Sequence, residues 1–407
     1  MTPFTSTVGD AIILKMNFDK KSFLSQVPPF YSALLSELLS YGYTAILVGG
    51  AVRDFLITGR VGNDWDIELS HPTITFEKGA WKDLGKSLSK FGKMNFLPYE
   101  IIRIEARQWQ LELSPPRIEH YHRDSKGHSN FDAEFNFKLP FEEAVKRRDF
   151  TINAMGIRLH KNDLEFLDPL EGLRHLREKI LHYAGPDFDQ DPVRFLRAHR
   201  FANKFKFAFS PELRAILETM HLEGITPAYL WSEMRKASDP VNFISYLVQE
   251  KNQELKVPLD KTFTSRVSEI KKVLSDPRRF ENWVIALEWI GVNSENWSNY
   301  FSMSTDTSRR LARWAHASRE FEKILPESFH GEFEEMRDKK DFEKLFDWYF
   351  TTRQLLQKNP DLPLLKMIEE FLPHWIHFYL FEPLKDVKHI EPPYRAKYQV
   401  WNLCQRL

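Results

Sequence analysis

Between residues 30 and 39 apolar side chains recur at Phe30, Leu34, Leu35, Leu38 and Leu39. That is the three-to-four spacing of a helix with one buried face, so residues 1–40 are expected to form a helical lead-in. TAILVGG follows, a short β-type apolar run stopped by two glycines, and AVRDFLI then returns to helical spacing. In DWDIEL, residues 64–69, polar and apolar positions alternate as on a strand with one wet face, and Trp109 to Leu113 alternates in the same way. Strand, turn, helix and further strands predict an α/β head over residues 1–160. Residues 117–133 are polar, rich in histidine and charge, and read as a mobile loop. From Leu173 the spacing is helical and stays so, which predicts a helical neck over residues 161–240 and a helical body over residues 241–407. Within that body, segments such as Phe342–Tyr349 and Leu364–Leu372 are separated by breaks that carry Pro or Ser.

Composition changes this picture little. A chain of 407 residues with 42% hydrophobic positions can fill more than one core, which agrees with several domains. The 57 basic and 57 acidic residues cancel, so a nucleic-acid partner has to be held by a local basic face rather than by a global field. The lone cysteine, Cys404, excludes a disulfide framework and a multi-cysteine metal site. Charges at Asp10, Asp19, Lys20 and Lys21 interrupt the early apolar residues, and no apolar run reaches the roughly 20 residues of a membrane span. A cytoplasmic protein without membrane contact is the expectation.

Four clusters can carry chemistry. Gly49 and Gly50 end a strand and open a helix, where bare backbone N–H groups and the helix N-terminus suit a phosphate, and Arg53 follows on the first turn. Asp64 and Asp66 stand two apart on a strand, so both carboxylates share one face; the pair suits a hard divalent cation such as Mg²⁺, or else a solvated strand face. Glu112, in QLELS, adds a third carboxylate if its strand lies beside the first. In KRRDFTINAM, Arg147 and Arg148 can bind phosphate, Asp149 can orient an arginine, and Asn153 offers an amide to sugar or base. In DQDPVRFLRAHRF, Asp191 suits a helix cap and Pro192 a first turn. At about 100° per residue Asp191, Arg194 and Arg197 span an arc of about 120°, with Arg200 beyond it. This second basic group is either a solvated face or an Asp–Arg pair that presents hydrogen-bonding groups to a nucleobase.

LVGGAVRD, NDWDIELS, KRRDFTINAM, DPLEGL and DPVRFLRAHRF stand in the order and spacing of the class II CCA-adding enzymes, which the chain resembles over residues 41–240. Bacterial poly(A) polymerases are similar members of the same superfamily. The resemblance implies a polymerase-β-like nucleotidyltransferase head followed by an all-α neck and C-terminal helical region. It implies template-independent addition of CCA to the 3′ end of tRNA from CTP and ATP, with pyrophosphate released. In this reading Gly49, Gly50 and Arg53 hold the triphosphate, Asp64 and Asp66 bind Mg²⁺ and act in catalysis with Glu112, and Arg148 contacts the nucleotide. Asp149 and Asn153 support that contact, Asp191 and Arg194 read the base edge, and Arg197 and Arg200 add nucleotide contacts. The family's flexible loop matches residues 117–133, with Arg117 and Glu119 at its start, and residues 241–407 are expected to bind tRNA, with Arg309, Arg310 and Arg313 on one helix face.

Two departures stand out. Gln190 replaces a glutamate that precedes the base-reading aspartate in the family, and Ala228, Tyr229 and Leu230 replace a Glu-Arg-Val or Glu-Arg-Ile motif. The alternatives within the superfamily are an enzyme adding only CC or only A, and a poly(A) polymerase. Outside it, the alternative is a catalytically inactive RNA-binding relative.

Overall fold

The computed structural model describes residues 18–122 and 130–273, apart from residues 28, 162 and 260, and scattered positions between residues 283 and 316. Arg310, Cys404 and the segments 342–349 and 364–372 lie outside the described residues. The chain divides into two compact units, Met1–Ile225 and Thr226–Leu407.

The first unit begins with α1 (Lys20–Gln26) and α2 (Pro29–Ser40). Asp19 caps α1 by accepting from the Ser22 N–H at 3.0 Å. The buried stripe of α2 runs through Tyr31, Leu34 and Leu38 rather than through Phe30 and Leu39. Its register is decided by Trp65, on which the Tyr31 ring stacks at 4.0 Å.

The strands and longer helices that follow are β1 (Thr44–Val48), α3 (Gly50–Thr58), β2 (Asp64–Ser70), α4 (Lys78–Ser87), β3 (Lys93–Leu97), β4 (Ile101–Ala106), β5 (Trp109–Ser114), β6 (Arg117–Tyr121), β7 (Phe131–Phe135), β8 (Gly156–Leu159) and β9 (Leu164–Leu167). Among the described residues the main sheet has the order β3-β4-β5-β2-β1-β8-β9. Its pairs are antiparallel except β2 with β5, which run parallel. The alternation in β2 is realised directly: Trp65, Ile67 and Leu69 are buried, while Asp64 and Asp66 are exposed. Ile46 and Val48 of β1 pack with Phe141, Val145, Ala154 and Ala184. That cluster draws the segment 146–155 beneath the end of β1.

The segment 117–133, expected as a loop, is bounded by paired strands. β6 and β7 form an antiparallel ladder from Arg117↔Phe135 to Tyr121↔Phe131, and positions 117, 119 and 121 share its less exposed face. Alternation over five residues is too short to stand out in so polar a stretch. Beyond the sheet come α5 (Gly172–Glu178), α6 (Val193–Phe205) and α7 (Pro211–Thr219). The neck is not purely helical, since β10 (Ile180–Leu181) and β11 (Ala208–Phe209) pair in parallel across α6. The second unit opens with α8 (Pro227–Lys236), which contains Ala228, Tyr229 and Leu230, and continues with α9 (Pro240–Leu255). Arg309 and Arg313 stand on helical backbone and are exposed. No helix among the described residues is long and apolar enough to cross a membrane.

Tyr31 is 3% exposed, and its hydroxyl has no hydrogen-bond partner among the described residues. An unsatisfied buried hydroxyl costs about 1 kcal/mol or more. Tyr31→Phe is therefore expected to stabilise the protein by about 1 kcal/mol, read as a higher urea midpoint at unchanged slope.

Candidate active site

The site is built where β1 turns into α3. Gly49 has φ 78° and ψ −138°, a backbone conformation that side-chain-bearing residues rarely adopt. A Cβ there would stand 3.2 Å from Nη1 of Arg148 and 3.3 Å from Oδ2 of Asp66. The bare Cα of Gly49 thus marks the point where a guanidinium and a carboxylate approach the turn together. Asp66 reaches this place because it lies opposite Val48 in the β1–β2 register. The N-terminus of the nine-residue helix α3 opens at the same turn, adding N–H groups without helical partners.

Four carboxylates gather on this part of the sheet. Asp64, Asp66 and Glu68 occupy one face of β2, and Glu112 of β5 is in register with Asp66. Glu112 accepts from Nε of Arg103 at 2.9 Å, and the buried Glu68 accepts from Nη2 of Arg147 at 3.3 Å. Those two are therefore occupied by arginines, and Asp64 and Asp66 are the acids placed to meet a ligand. Although Asp66 is accessible to solvent on one side, the protein packed around it raises its carboxyl above the usual range. Arg148 opposes that shift, while the charges of Glu112 and Asp64 add to it. A cation between the two aspartates would relieve this strain, and paired hard oxygen donors suit a divalent ion. Among the described residues no cluster of three or more His, Cys, Asp or Glu side chains could hold a metal by itself. Glu68 was not singled out in the sequence, although its place two positions beyond Asp66 on the same face was the signal available.

Behind the turn runs a chain of polar contacts. Nη1 of Arg53 donates to Oδ1 of Asn153, and Nδ2 of Asn153 donates to Oδ1 of Asp149 at 2.9 Å. Nε of Arg197 donates to Oδ2 of Asp149 at 2.8 Å. Arg53 is buried, pairs also with Asp54, and lies over the rings of Phe201 and Phe205. Its Nη2 would be 3.4 Å from a Cβ on Gly50, so its charge sits beneath the glycine turn.

Burial alone would raise the Asp149 carboxyl, but Arg197, Asn153 and the Phe150 N–H together hold it down to about 2. Its folded value lies below the ordinary 3.8, so its contribution to stability is present above that value and disappears as pH falls towards 2. Wild type is expected to lose about 2 kcal/mol more than Asp149→Asn between about pH 5 and pH 2, measured by urea unfolding across that range. Parallel acid profiles for the two proteins would contradict the assignment.

Asp191 precedes α6. Its Oδ1 accepts from the Val193 N–H at 3.0 Å and its carbonyl from the Arg194 N–H at 3.0 Å, so it caps the helix. Arg194 is buried and strongly held. Its Nη1 donates to the Asp187 carbonyl at 2.9 Å, and its Nη2 donates to Oη of Tyr121 at 3.1 Å and to the Arg147 carbonyl at 2.7 Å. Glu119 and Asp191 each lie 3.9 Å from its guanidinium. Gln190 donates instead to Asp189, at 3.0 Å. The strand β6 thus supplies the bracing of Arg194, through Glu119 and Tyr121. Tyr121 escaped the sequence reading because only the hairpin brings it to the neck.

The same hairpin adds Arg117, paired with Glu119 at 2.7 Å. Burial and the neighbouring Arg147 push the Arg117 guanidinium down to about 10. Burial and Arg147 likewise lower that of Arg148. Arg200 is buried beside the Phe201 ring, 4.2 Å from its centroid. Of the residues expected at a site, Gly49, Asp66 and Arg148 meet at the turn, with Asp64 on the same strand face. Arg53, Asp149, Asn153 and Arg197 form the network behind it. Asp191 and Arg194 stand with the hairpin, and Glu112 is paired away to Arg103.

Residues 45–182 match the family model of the poly A polymerase head domain. A multifunctional CCA protein from Xanthomonas oryzae pv. oryzae is 33% identical over 199 residues, covering 47% of this chain and 44% of that protein. One from Legionella pneumophila is 30% identical over 221 residues, covering 51% and 46%. The chain therefore spans less than half the length of the curated relatives it matches. Among solved structures, a CCA-adding enzyme in an apo form superposes with a TM-score of 0.55 at 19% identity, covering 94% of this chain and 85% of that one. A Thermotoga maritima CCA-adding enzyme complexed with tRNA gives 0.55 at 18% identity, covering 94% and 84%. One complexed with ATP gives 0.56 at 18% identity, covering 94% and 83%. The chain has the fold of the CCA-adding enzymes, and within it residues 45–182 are similar to the poly A polymerase head domain.

Proposed function

We propose that the protein is a tRNA nucleotidyltransferase that adds CCA to the 3′ end of tRNA, using CTP and ATP and no nucleic-acid template. The observation that carries this reading is the meeting of the Asp66 carboxylate and the Arg148 guanidinium at the open Cα of Gly49. A basic group and an acid at a backbone turn suit a triphosphate and the cation that accompanies it. The names of the relatives support the substrate: the proteins matched are CCA proteins, and one solved relative is complexed with tRNA.

In this reading Asp64 and Asp66 hold a divalent ion, Mg²⁺, which would neutralise triphosphate charge and favour ionisation of the attacking 3′-hydroxyl. The N–H groups at Gly49 and Gly50 and the start of α3 face the phosphates, with Arg53 adding positive potential from beneath. Arg148 contacts the nucleotide. Asp149 and Asn153 hold Arg197 and Arg53 in place, and Arg200 adds charge on the neck. Glu112, engaged by Arg103, shapes the field at Asp66 rather than joining the ion. Asp191 accepts and Arg194 donates towards the base. Nη2 of Arg194 donates twice and Nη1 once within the protein, so Nε, the nitrogen beside Asp191, is the donor placed to read the base. Pyrophosphate leaves as the tRNA hydroxyl attacks the α-phosphorus, and catalysis is mainly positioning with charge neutralisation. The helical region 241–407 would hold the tRNA elbow.

The test is the sequence of the 3′ extension made on a tRNA transcript lacking CCA, with all four nucleotides present. Extension by CCA and then arrest supports the proposal. A product ending at CC, or at A alone on a CC-ended tRNA, would make this a partial enzyme, and the presence of the 117–133 segment favours full addition. Long A tracts on any RNA would replace the reading with a poly(A) polymerase.

A further inference from the structure

Tyr121 stands between Arg194 and the rest of the β6–β7 hairpin. Its Oη accepts from Nη2 of Arg194 at 3.1 Å and donates to Oε2 of Glu119 at 3.0 Å. Chemistry settles the direction of both bonds, since a guanidinium only donates and a carboxylate paired with arginine only accepts. Burial holds the Tyr121 phenol above its ordinary range, so it stays a neutral hydroxyl that can do both. Glu119 is itself fixed, because Nε and Nη2 of Arg117 donate to its Oε1 at 3.0 and 2.7 Å. Arg117 lies over the Tyr99 ring, 5.0 Å from its centroid. Tyr99 stacks on Phe131 at 5.2 Å, and Phe131 packs against Tyr121 at 5.3 Å. These contacts close into a loop that joins both strands of the hairpin to the turn between β3 and β4. Trp81 pins that turn to α4, its Nε1 donating to the Glu100 carbonyl at 2.7 Å.

We propose that Tyr121 is a positioning residue for base selection: its phenol keeps Nη2 of Arg194 turned away from the base, so that Nε meets the base edge. This rests on the reading of Asp191 and Arg194 as a protein template. The Asp187 and Arg147 carbonyls fix two points of the planar fork, and the Tyr121 hydroxyl adds a third from the hairpin. Without that hydroxyl, an Nη2 hydrogen is left unsatisfied in a buried setting, and the fork gains by turning to offer it to an acceptor on the base. Uracil and guanine carry a carbonyl oxygen where cytosine and adenine carry an amino group. A loosened donor therefore favours the wrong bases.

Tyr121→Phe tests this, since it keeps the ring on Phe131 and removes only the hydroxyl. The measurement is kcat/KM for CTP and UTP on a tRNA lacking CCA, and for ATP and GTP on a tRNA ending in CC. The preference for CTP over UTP and for ATP over GTP is expected to fall about tenfold, the worth of one hydrogen bond to a charged donor. A loss of folded protein lowers all four values together and cancels in these ratios, so a merely structural role leaves them unchanged. In the Arg194→Ala background the same substitution is expected to change the ratios by less than about twofold, because the phenol acts through Arg194. If wild type selects CTP and ATP and Tyr121→Phe selects them equally well, this proposal is overturned and the proposed function stands. A full tenfold fall in the Arg194→Ala background would also overturn it, because Tyr121 would then act without Arg194. Wild type that adds all four nucleotides alike would overturn the proposed function and this inference with it.

Discussion

Asp64→Ala and Asp66→Ala are each expected to lower the rate of nucleotide addition by on the order of a thousandfold or more, about 4 kcal/mol of lost transition-state stabilisation. Affinity for tRNA should stay within about twofold, because an RNA phosphate gains nothing from a carboxylate and neither acid forms part of a basic surface. The fold should also survive. Both side chains are exposed at the end of β2, and exposed substitutions away from packed features change stability by about 0.5 kcal/mol or less. Single-turnover extension, filter binding of tRNA and a melting curve on the same preparation separate these effects. Asp66 has the sharper expectation, since its Oδ2 is the carboxylate oxygen nearest the open Cα of Gly49. Wild-type-like extension by either variant would remove the acids from the chemistry and take the divalent ion with them.

The second large effect belongs to Arg194. Arg194→Ala is expected to lower the preference for CTP and ATP over UTP and GTP by on the order of a hundredfold, with a much smaller loss of triphosphate affinity. In the proposed function the base edge is read by hydrogen bonds from fixed groups, whereas the phosphates are held elsewhere, at the glycine turn and Arg148. The substitution also leaves Glu119 and Asp191 facing an empty place in a buried setting, so a stability loss of about 3 kcal/mol is expected alongside. Arg194→Lys separates the two consequences. It keeps the charge near both acids but loses the planar fork, so selectivity should still fall while most stability returns. The measurement is kcat/KM for each of the four nucleotides on a tRNA ending one residue short, below the melting temperature of each variant. Unaltered selectivity in Arg194→Ala would count against a protein template for the base.

How much of this was legible in the residues differs from place to place, for physical reasons. The β1–α3 turn was legible because glycine pairs after an apolar run have few other uses, and the face shared by Asp64 and Asp66 follows from strand alternation alone. Glu68 obeys the same alternation yet went unread, because its acidic head is buried only through Arg147, some 80 residues away in the chain. Glu112 was correctly given a strand of its own, but its neighbour across the sheet on the other side, Arg103, takes up its carboxylate. The hairpin at 117–135 was hidden by its polar composition, and with it the bracing of Arg194 by Tyr121.

Local pattern by itself determined the α/β character of the head, the strand–turn–helix–strand order from β1 to β2 and the chemical character of each cluster. These depend on spacings of two to four residues, and the backbone geometry of strand and helix turns such spacings into faces. Tertiary structure alone decided which charges are spent on one another and which remain for a ligand. Arg53 is held by Asn153, Asp149 by Arg197, Glu68 by Arg147 and Glu112 by Arg103, whereas Asp66 and Arg148 meet at a glycine that leaves the space between them open. Partners in an ion pair are chosen by distance in space, and a spacing along the chain carries no information about a contact made across strand order and sheet register.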